Sequence, residues 1–148
     1  MYSAIDETGI NLDYVASNLN RSVTLIGSNL AIFTFVLIFL YSRYLSNQLN
    51  GVLFQATLTS SLLAIFLFGI AGVHYFEVVA MAKASVETKM QLVRRGDLFF
   101  VVSLLLGTAE PALILFTLGL TYVGMIAAVL WTLYAVFLIR QGRKLRVG

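Results

Sequence analysis

Four long runs of apolar residues, separated by short polar connections, make up most of the chain. The runs cover residues 23–41, 53–82, 98–118 and 122–139. Roughly 20 helical residues cross the hydrocarbon of a bilayer, so each run is long enough to span it. Because helices joined by short connections lie antiparallel, the pattern predicts an all-α integral membrane protein with four transmembrane helices in an up-down-up-down bundle.

The composition agrees with a membrane domain and leaves no room for a separate soluble one. Apolar residues account for 59% of the 148 residues and charged residues for 11%, far from the balance of a soluble domain. We expect one transmembrane domain at 22–140, between a cytoplasmic segment at 1–21 and a basic tail at 141–148. The first segment is acidic and lacks a cleavage site, which argues against a removable signal peptide.

Within this first segment, the spacing of Leu12, Val15 and Leu19 fits a short amphipathic helix on the membrane surface. A disordered leader is the alternative.

Positive residues are unevenly divided between the two sides that four spans define. Nine of the ten Lys and Arg residues lie on the side of the termini and the second connection, and Arg43 alone lies on the other. Because positive residues stay in the cytoplasm, both termini are predicted to be cytoplasmic, in the cell membrane. The net charge of +3 is thus a topology signal, and no nucleic-acid partner is expected.

A basic cluster follows the last span. Its members are Arg140, Arg143, Lys144 and Arg146. Such a cluster attracts anionic lipid headgroups by about 1 kcal/mol per charge, which predicts headgroups at the cytoplasmic face as a partner. A role in topology alone is the simpler alternative.

The third run contains an acidic residue followed by the only proline, Glu110-Pro111. Ser103, Glu110 and Thr117 are seven residues apart and share a helix face, with Gly107 beside them. This face is expected to turn inward. Glu110 lies about 13 Å from the following turn, near the midplane. Pro111 also leaves the Gly107 carbonyl without its helical donor.

Two interpretations of Glu110 follow from this setting. In the first, it is a neutral acid hydrogen-bonded to a neighbouring helix, for example to Asn29 or to serines and threonines of the second span. In the second, it binds a proton or a cation with help from the Gly107 carbonyl, as irregular helices do in transporters. The general cost of an acid inside a membrane favours the second slightly.

His74 and Glu77 form a second candidate site, since a spacing of three places them on one helix face. Their depth depends on which part of a 30-residue run is embedded. At the cytoplasmic interface they form an ordinary surface pair. If the embedded part is 62–82, His74 is close in depth to Glu110, and the three residues could line one proton path. One His with two carboxylates is a weak metal signature, and no metal site is predicted.

Enzymatic chemistry has little support in the sequence. The chain has no cysteine, which excludes disulfides, thiol chemistry and Cys-ligated metals. It contains no nucleophile elbow, phosphate loop, zincin motif or dinucleotide fingerprint. No cofactor is expected, and an enzyme is the weakest functional hypothesis.

Small residues recur at four-residue spacing, which lets helices approach closely in lipid. These helix-packing rows are Ala56, Ser60 and Ala64 in the second span and Gly124, Ala128 and Thr132 in the fourth. Ser103, Thr117 and Asn29 are predicted to be polar packing residues. The sequence thus favours a non-catalytic component of a larger membrane assembly, with the bilayer and other membrane subunits, self or foreign, as partners. The alternative is a homo-oligomeric proton- or cation-coupled transporter or channel that uses Glu110.

Overall fold

The computed structural model describes residues 11–81 and 84–144, with side chains described up to Arg140. Four α-helices make up this part of the chain: α1 (Leu12–Leu45), α2 (Gly51–Ala80), α3 (Val86–Thr117) and α4 (Thr121–Lys144). All four are long and apolar enough to cross a membrane. The prediction of an all-helical chain with four potential spans is therefore confirmed.

Polar caps and one glycine turn define the helix boundaries. The side chains of Asn11, Asn50 and Ser85 accept hydrogen bonds from backbone N–H groups in the first turns of α1, α2 and α3. These caps satisfy donors that a helix start leaves without a partner. Between α3 and α4, Gly119 has a φ of 76°, a left-handed conformation that glycine adopts at little steric cost.

The first helix is longer than the first apolar run. It continues without a break from Leu12 to Leu45, so residues 12–21 belong to the same helix as the first apolar run. The earlier part of that segment, residues 1–10, lies outside the described residues, as do 82–83 and 145–148.

The helices follow one another in space in the order of the chain. α2 lies between α1 and α3, α1 touches α3 at few positions, and α4 contacts α3 alone within the described part. Neighbouring helices are antiparallel: Tyr44 of α1 stacks on Phe54 of α2 near one end, and Ser22 faces Gly72 near the other. The outcome is a packed core of three helices with α4 on the outside.

The buried residues of these helices repeat every seven positions. In α3 the row is Lys89, Gly96, Ser103, Glu110 and Thr117; in α1 it is Val15, Ser22, Asn29 and Val36. In α2 two interleaved rows are buried: Phe54, Ser61, Phe68 and Tyr75, and Thr57, Ala64, Ala71 and Val78. A seven-residue repeat is the spacing of left-handed helix packing. Ser103, Glu110 and Thr117 were predicted to share one face, and that inward face extends to both ends of α3.

Asp97 connects three helices at the end of the bundle where α1 and α3 begin. The hydroxyls of Tyr14 in α1 and Tyr75 in α2 both donate to Asp97 Oδ1, at 2.9 and 2.7 Å. Tyr75 is fully buried, and its ring lies against Gly96, where an added Cβ would come within 2.9 Å of the ring. Hydrogen bonds to a carboxylate are among the stronger ones, so this contact sets the register of α2 against α3.

The outward surface of the helices is apolar. Phe66 and Tyr122, for example, are 73% and 82% exposed, and many other large apolar side chains are also exposed. A surface of this kind marks contact with a membrane or another protein. Together with four helices of spanning length, it identifies the chain as an integral membrane protein.

Candidate functional site

Glu110 is the fully buried acid of the described chain. It lies on the inward face of α3, with no solvent-exposed surface, and the Ser61 hydroxyl of α2 is beside its carboxyl. The helix continues through Pro111 to Thr117. The packed core therefore encloses the carboxyl, and a position facing lipid is excluded.

Polar atoms without hydrogen-bond partners concentrate around this acid. In the described part of the chain, four buried side-chain N or O atoms have no partner: both carboxyl oxygens of Glu110, Ser61 Oγ and Asn29 Oδ1. Ser61 is near the carboxyl but does not meet hydrogen-bond geometry with it. Buried polar groups are nearly always hydrogen-bonded. A cluster of exceptions in one region of the core is therefore typical of a site that receives something from outside the chain.

Asn29 joins the site from α1 through Gly107. Its Nδ2 donates to the Leu25 carbonyl at 2.8 Å, which holds the amide in place. Its Oδ1 faces Gly107, one turn of α3 before Glu110, and a Cβ added at Gly107 would lie 2.9 Å from that oxygen. Gly107 is thus needed for the close approach of α1. Because Pro111 has no N–H, it cannot donate to the Gly107 carbonyl, which adds another oxygen to the region.

The donor set defines what the site can bind. Glu110, Ser61 and Asn29 offer carboxyl, hydroxyl and amide oxygens, and the described chain provides no Lys or Arg within ion-pair distance of the carboxyl. Oxygen donors of this kind suit a proton or a hard cation. The sequence predicted Glu110 and Gly107 as ion- or proton-binding residues and Asn29 as a packing residue; the structure places Asn29 against Gly107, one turn of α3 before Glu110.

The remaining polar residues of the core are satisfied within the chain. Ser103 Oγ donates to the Phe99 carbonyl at 2.7 Å, and the Thr57 and Thr117 hydroxyls are 3.3 Å apart. Ser60 Oγ donates to a backbone carbonyl of α3 at 3.4 Å. Trp131 of α4 donates from Nε1 to the Leu105 carbonyl at 3.0 Å. The bonds of Thr57, Ser60 and Trp131 join neighbouring helices, whereas the buried Ser103 hydroxyl bonds within α3.

His74 and Glu77 lie away from this site. Their Nδ1 and Oε2 atoms are 3.4 Å apart, at the end of α2 where Tyr75 meets Asp97. The residue of α2 beside Glu110 is Ser61, and 13 residues separate it from His74, or about 20 Å along the helix. In this packing His74 and Glu77 therefore form a local pair that does not share a site with Glu110.

Only part of each small-residue row packs within the chain. Ser60 and Ala64 are buried, whereas Ala56 is exposed. In α4, Gly124 is buried against Phe116, whose ring would come within 2.9 Å of an added Cβ; Ala128 is half-buried and Thr132 is exposed. A four-residue spacing drifts around a helix of 3.6 residues per turn, so the ends of each row leave the contact face.

The basic tail is only partly described. Arg140 is exposed. The side chains of Arg143 and Lys144, and the whole of Arg146, lie outside the described residues.

Sequence reasoning named the serines and threonines of the second span as possible partners of Glu110 without singling out Ser61, and it missed the contact of Tyr14 and Tyr75 with Asp97. Ser61 is next to the predicted packing residue Ser60, and its seven-residue spacing from Phe54 and Phe68 was a usable signal. For Asp97 no comparable signal existed, because its two partners are distant in the chain.

Comparison of the chain with protein-family models, with curated proteins and with solved structures finds no match.

Replacing Gly107 by Ala tests the close approach of Asn29. We expect the free energy of unfolding to fall by about 1 kcal/mol, because the new methyl group overpacks the Asn29 amide. Unfolding in mixed micelles with increasing sodium dodecyl sulfate measures this change. In an Asn29→Ala background the same substitution is expected to cost nothing.

Gly69→Ala is the matched control, because nothing lies within 4 Å of an added Cβ there. It should leave stability unchanged or slightly raised, since Ala is preferred over Gly inside a helix. An equal cost for Gly107→Ala with and without Asn29 would show that the two residues are not in contact.

Proposed function

We propose that this small polytopic membrane protein takes up and releases a proton or a small cation at Glu110 as part of transport across the membrane. One observation carries the proposal: the carboxyl is fully buried in the helix core, and neither of its oxygens has a hydrogen-bond partner among the described residues. Ionisable residues within membrane helices usually mark ion or proton pathways.

The cost of an isolated charge explains why binding would be coupled to helix movement. An ionised carboxylate without a partner is very unfavourable in an apolar interior, so the observed packing accommodates Glu110 as a neutral acid or with a cation bound. Release of the proton or cation would favour a different helix arrangement, in which the charge reaches water or a partner. A ligand shifts such an equilibrium by its difference in affinity for the two arrangements.

The role of the other polar residues supports this choice over pure assembly. Ser60 and Thr117 were among the packing residues that supported the prediction of partner subunits, and each has a hydrogen bond inside the chain, as does Trp131. Glu110 was expected to be hydrogen-bonded to a neighbouring helix if it served only to hold helices together. A role in holding helices together therefore does not explain why this buried acid has no hydrogen-bond partner among the described residues.

The proposed orientation has both termini and the α2–α3 connection in the cytoplasm, because nine of the ten positive residues are on that side. The chain has no cysteine, so single introduced cysteines can report it. We expect Asn47→Cys to react with an impermeant maleimide in intact cells, and Ser85→Cys to react only after permeabilisation. The opposite pattern would reverse the orientation.

Glu110→Gln tests the transport role. Gln has nearly the same shape but cannot ionise, so proton- or cation-dependent flux in proteoliposomes is expected to be lost while helix content is kept. Dicyclohexylcarbodiimide, which reacts with protonated carboxyls in apolar surroundings, should modify the wild-type protein at Glu110 and leave the variant unmodified there.

Glu77→Gln is the matched control, since it makes the same change in a side chain that is 36% exposed and far from the site. It is expected to retain flux. Unchanged flux in Glu110→Gln would reject the proposal, even if Glu110 reacts with the carbodiimide.

A second candidate function, as a non-catalytic component of a membrane assembly, is supported by the position of α4. This helix contacts α3 alone within the described chain, and Gly124 is its one buried residue between 121 and 140. The remaining faces of α4 are free to contact lipid, another copy of the chain or a foreign subunit.

Extraction in a gentle detergent tests the assembly role. We expect native mass spectrometry to record a stable complex, and its mass shows whether the partners are identical copies. A monodisperse monomer would contradict the assembly role and leave the Glu110 proposal to its own test.

A further inference from the structure

A shallow, open groove in the side-chain surface of α1, the Arg21 groove, presents an exposed arginine among polar side chains. It has a volume of about 380 Å³ and is lined by Ser17, Asn20, Arg21, Thr24 and Leu25. These residues fall on one side of the helix, because their spacings of three, four and seven are those of neighbouring turns. The four polar residues among them are exposed and face away from the Glu110 site.

Arg21 supplies the charge of this groove. Among the described residues, no acid lies within ion-pair distance of its guanidinium; its electrostatic neighbour is the Tyr14 hydroxyl, which is already bonded to Asp97. The planar guanidinium can donate two parallel hydrogen bonds to a phosphate. The Ser17 hydroxyl and the Asn20 amide add donors on the same side.

The depth of Arg21 matches the level of lipid headgroups. It comes two residues before the apolar run 23–41, whose 19 residues span about 28 Å, close to the thickness of the hydrocarbon. The guanidinium is therefore at the boundary between hydrocarbon and headgroups, and its long side chain can reach toward the aqueous side. Leu25, one turn further, offers an apolar surface to the first part of an acyl chain.

We infer that the Arg21 groove binds the phosphate of an anionic phospholipid on the side of the membrane that holds the chain termini. Arg21 contacts the phosphate, Ser17 and Asn20 donate further hydrogen bonds, and Leu25 packs against the acyl chain. This site differs from the basic tail, which attracts headgroups by charge alone. It is also independent of the proposed role of Glu110.

Lipid binding to the purified full-length protein tests the inference. In native mass spectrometry with phosphatidylglycerol at raised ionic strength, which screens the exposed tail, the wild-type protein should retain at least one tightly bound lipid. Arg21→Gln should weaken this binding about tenfold, as expected for loss of a charge-assisted hydrogen bond. Because Arg21 is exposed, helix content and thermal stability should not change.

Arg43→Gln is the matched control, because it removes an exposed Arg from the other end of the same helix. It should bind phosphatidylglycerol like the wild type. Arg21→Lys, which keeps the charge but loses the planar pair of donors, should bind with intermediate affinity. Millimolar inorganic phosphate should not displace the lipid, since it cannot use the apolar part of the groove.

Three results would overturn the inference: wild-type affinity in Arg21→Gln, an equal loss in Arg43→Gln, or displacement by inorganic phosphate. Wild-type affinity in Arg21→Gln would show that the lipid binds to another surface. An equal loss of lipid affinity in Arg43→Gln would show that the effect comes from the change in net charge and not from a site at Arg21. Displacement by phosphate would show a site for free anions and not for lipid.

Discussion

Close packing of α3 against α2 is the contact on which the rest of the structure depends. In lipid, apolar side chains gain little by leaving the surroundings, so helices associate through small residues and hydrogen bonds. The inward row of α3 is made of such residues: Gly96 admits the Tyr75 ring, Glu110 lies beside Ser61 and Thr117 meets Thr57. Since α1 packs on α2 and α4 packs on α3, both outer helices take their positions from this central pair.

The polar positions of the core form two levels with different roles. At the end where α1 and α3 begin, Asp97 accepts hydrogen bonds from Tyr14 and Tyr75, which join three helices. About 20 Å further along α3, the described part of the chain offers the Glu110 carboxyl no hydrogen-bond partner. The first level holds the register of the helices, and the second is where a change of protonation or of bound cation would act on their packing. Separation of the two levels would let Glu110 change state while the helix ends stay joined.

The sequence predicted a large part of this arrangement because membrane helices obey simple rules. The four apolar runs predicted the four helices, and the seven-residue spacing of Ser103, Glu110 and Thr117 predicted their shared inward face. The depth of His74 was beyond sequence reasoning, since α2 is 30 residues long and any 20 of them could be embedded. The contact between Tyr75 and Asp97 decides where His74 lies relative to Glu110, because it pairs Ser61 and not His74 with that acid. The packing role of the small-residue rows was predicted only in part, because the spacing of residues along one helix does not show where the contact face with the neighbouring helix ends.

The sequence by itself thus determined the helical class, the approximate spans and the presence of an acid near the middle of the third one. These properties depend on local composition and on the cost of exposing polar groups to hydrocarbon, which can be judged along a single segment. The tertiary structure decided which residues surround that acid, that α1 reaches α3 at Gly107, and that α4 packs on α3 alone within the described chain. Such contacts join residues far apart in the chain, and their geometry is set by how side chains of different helices fit together.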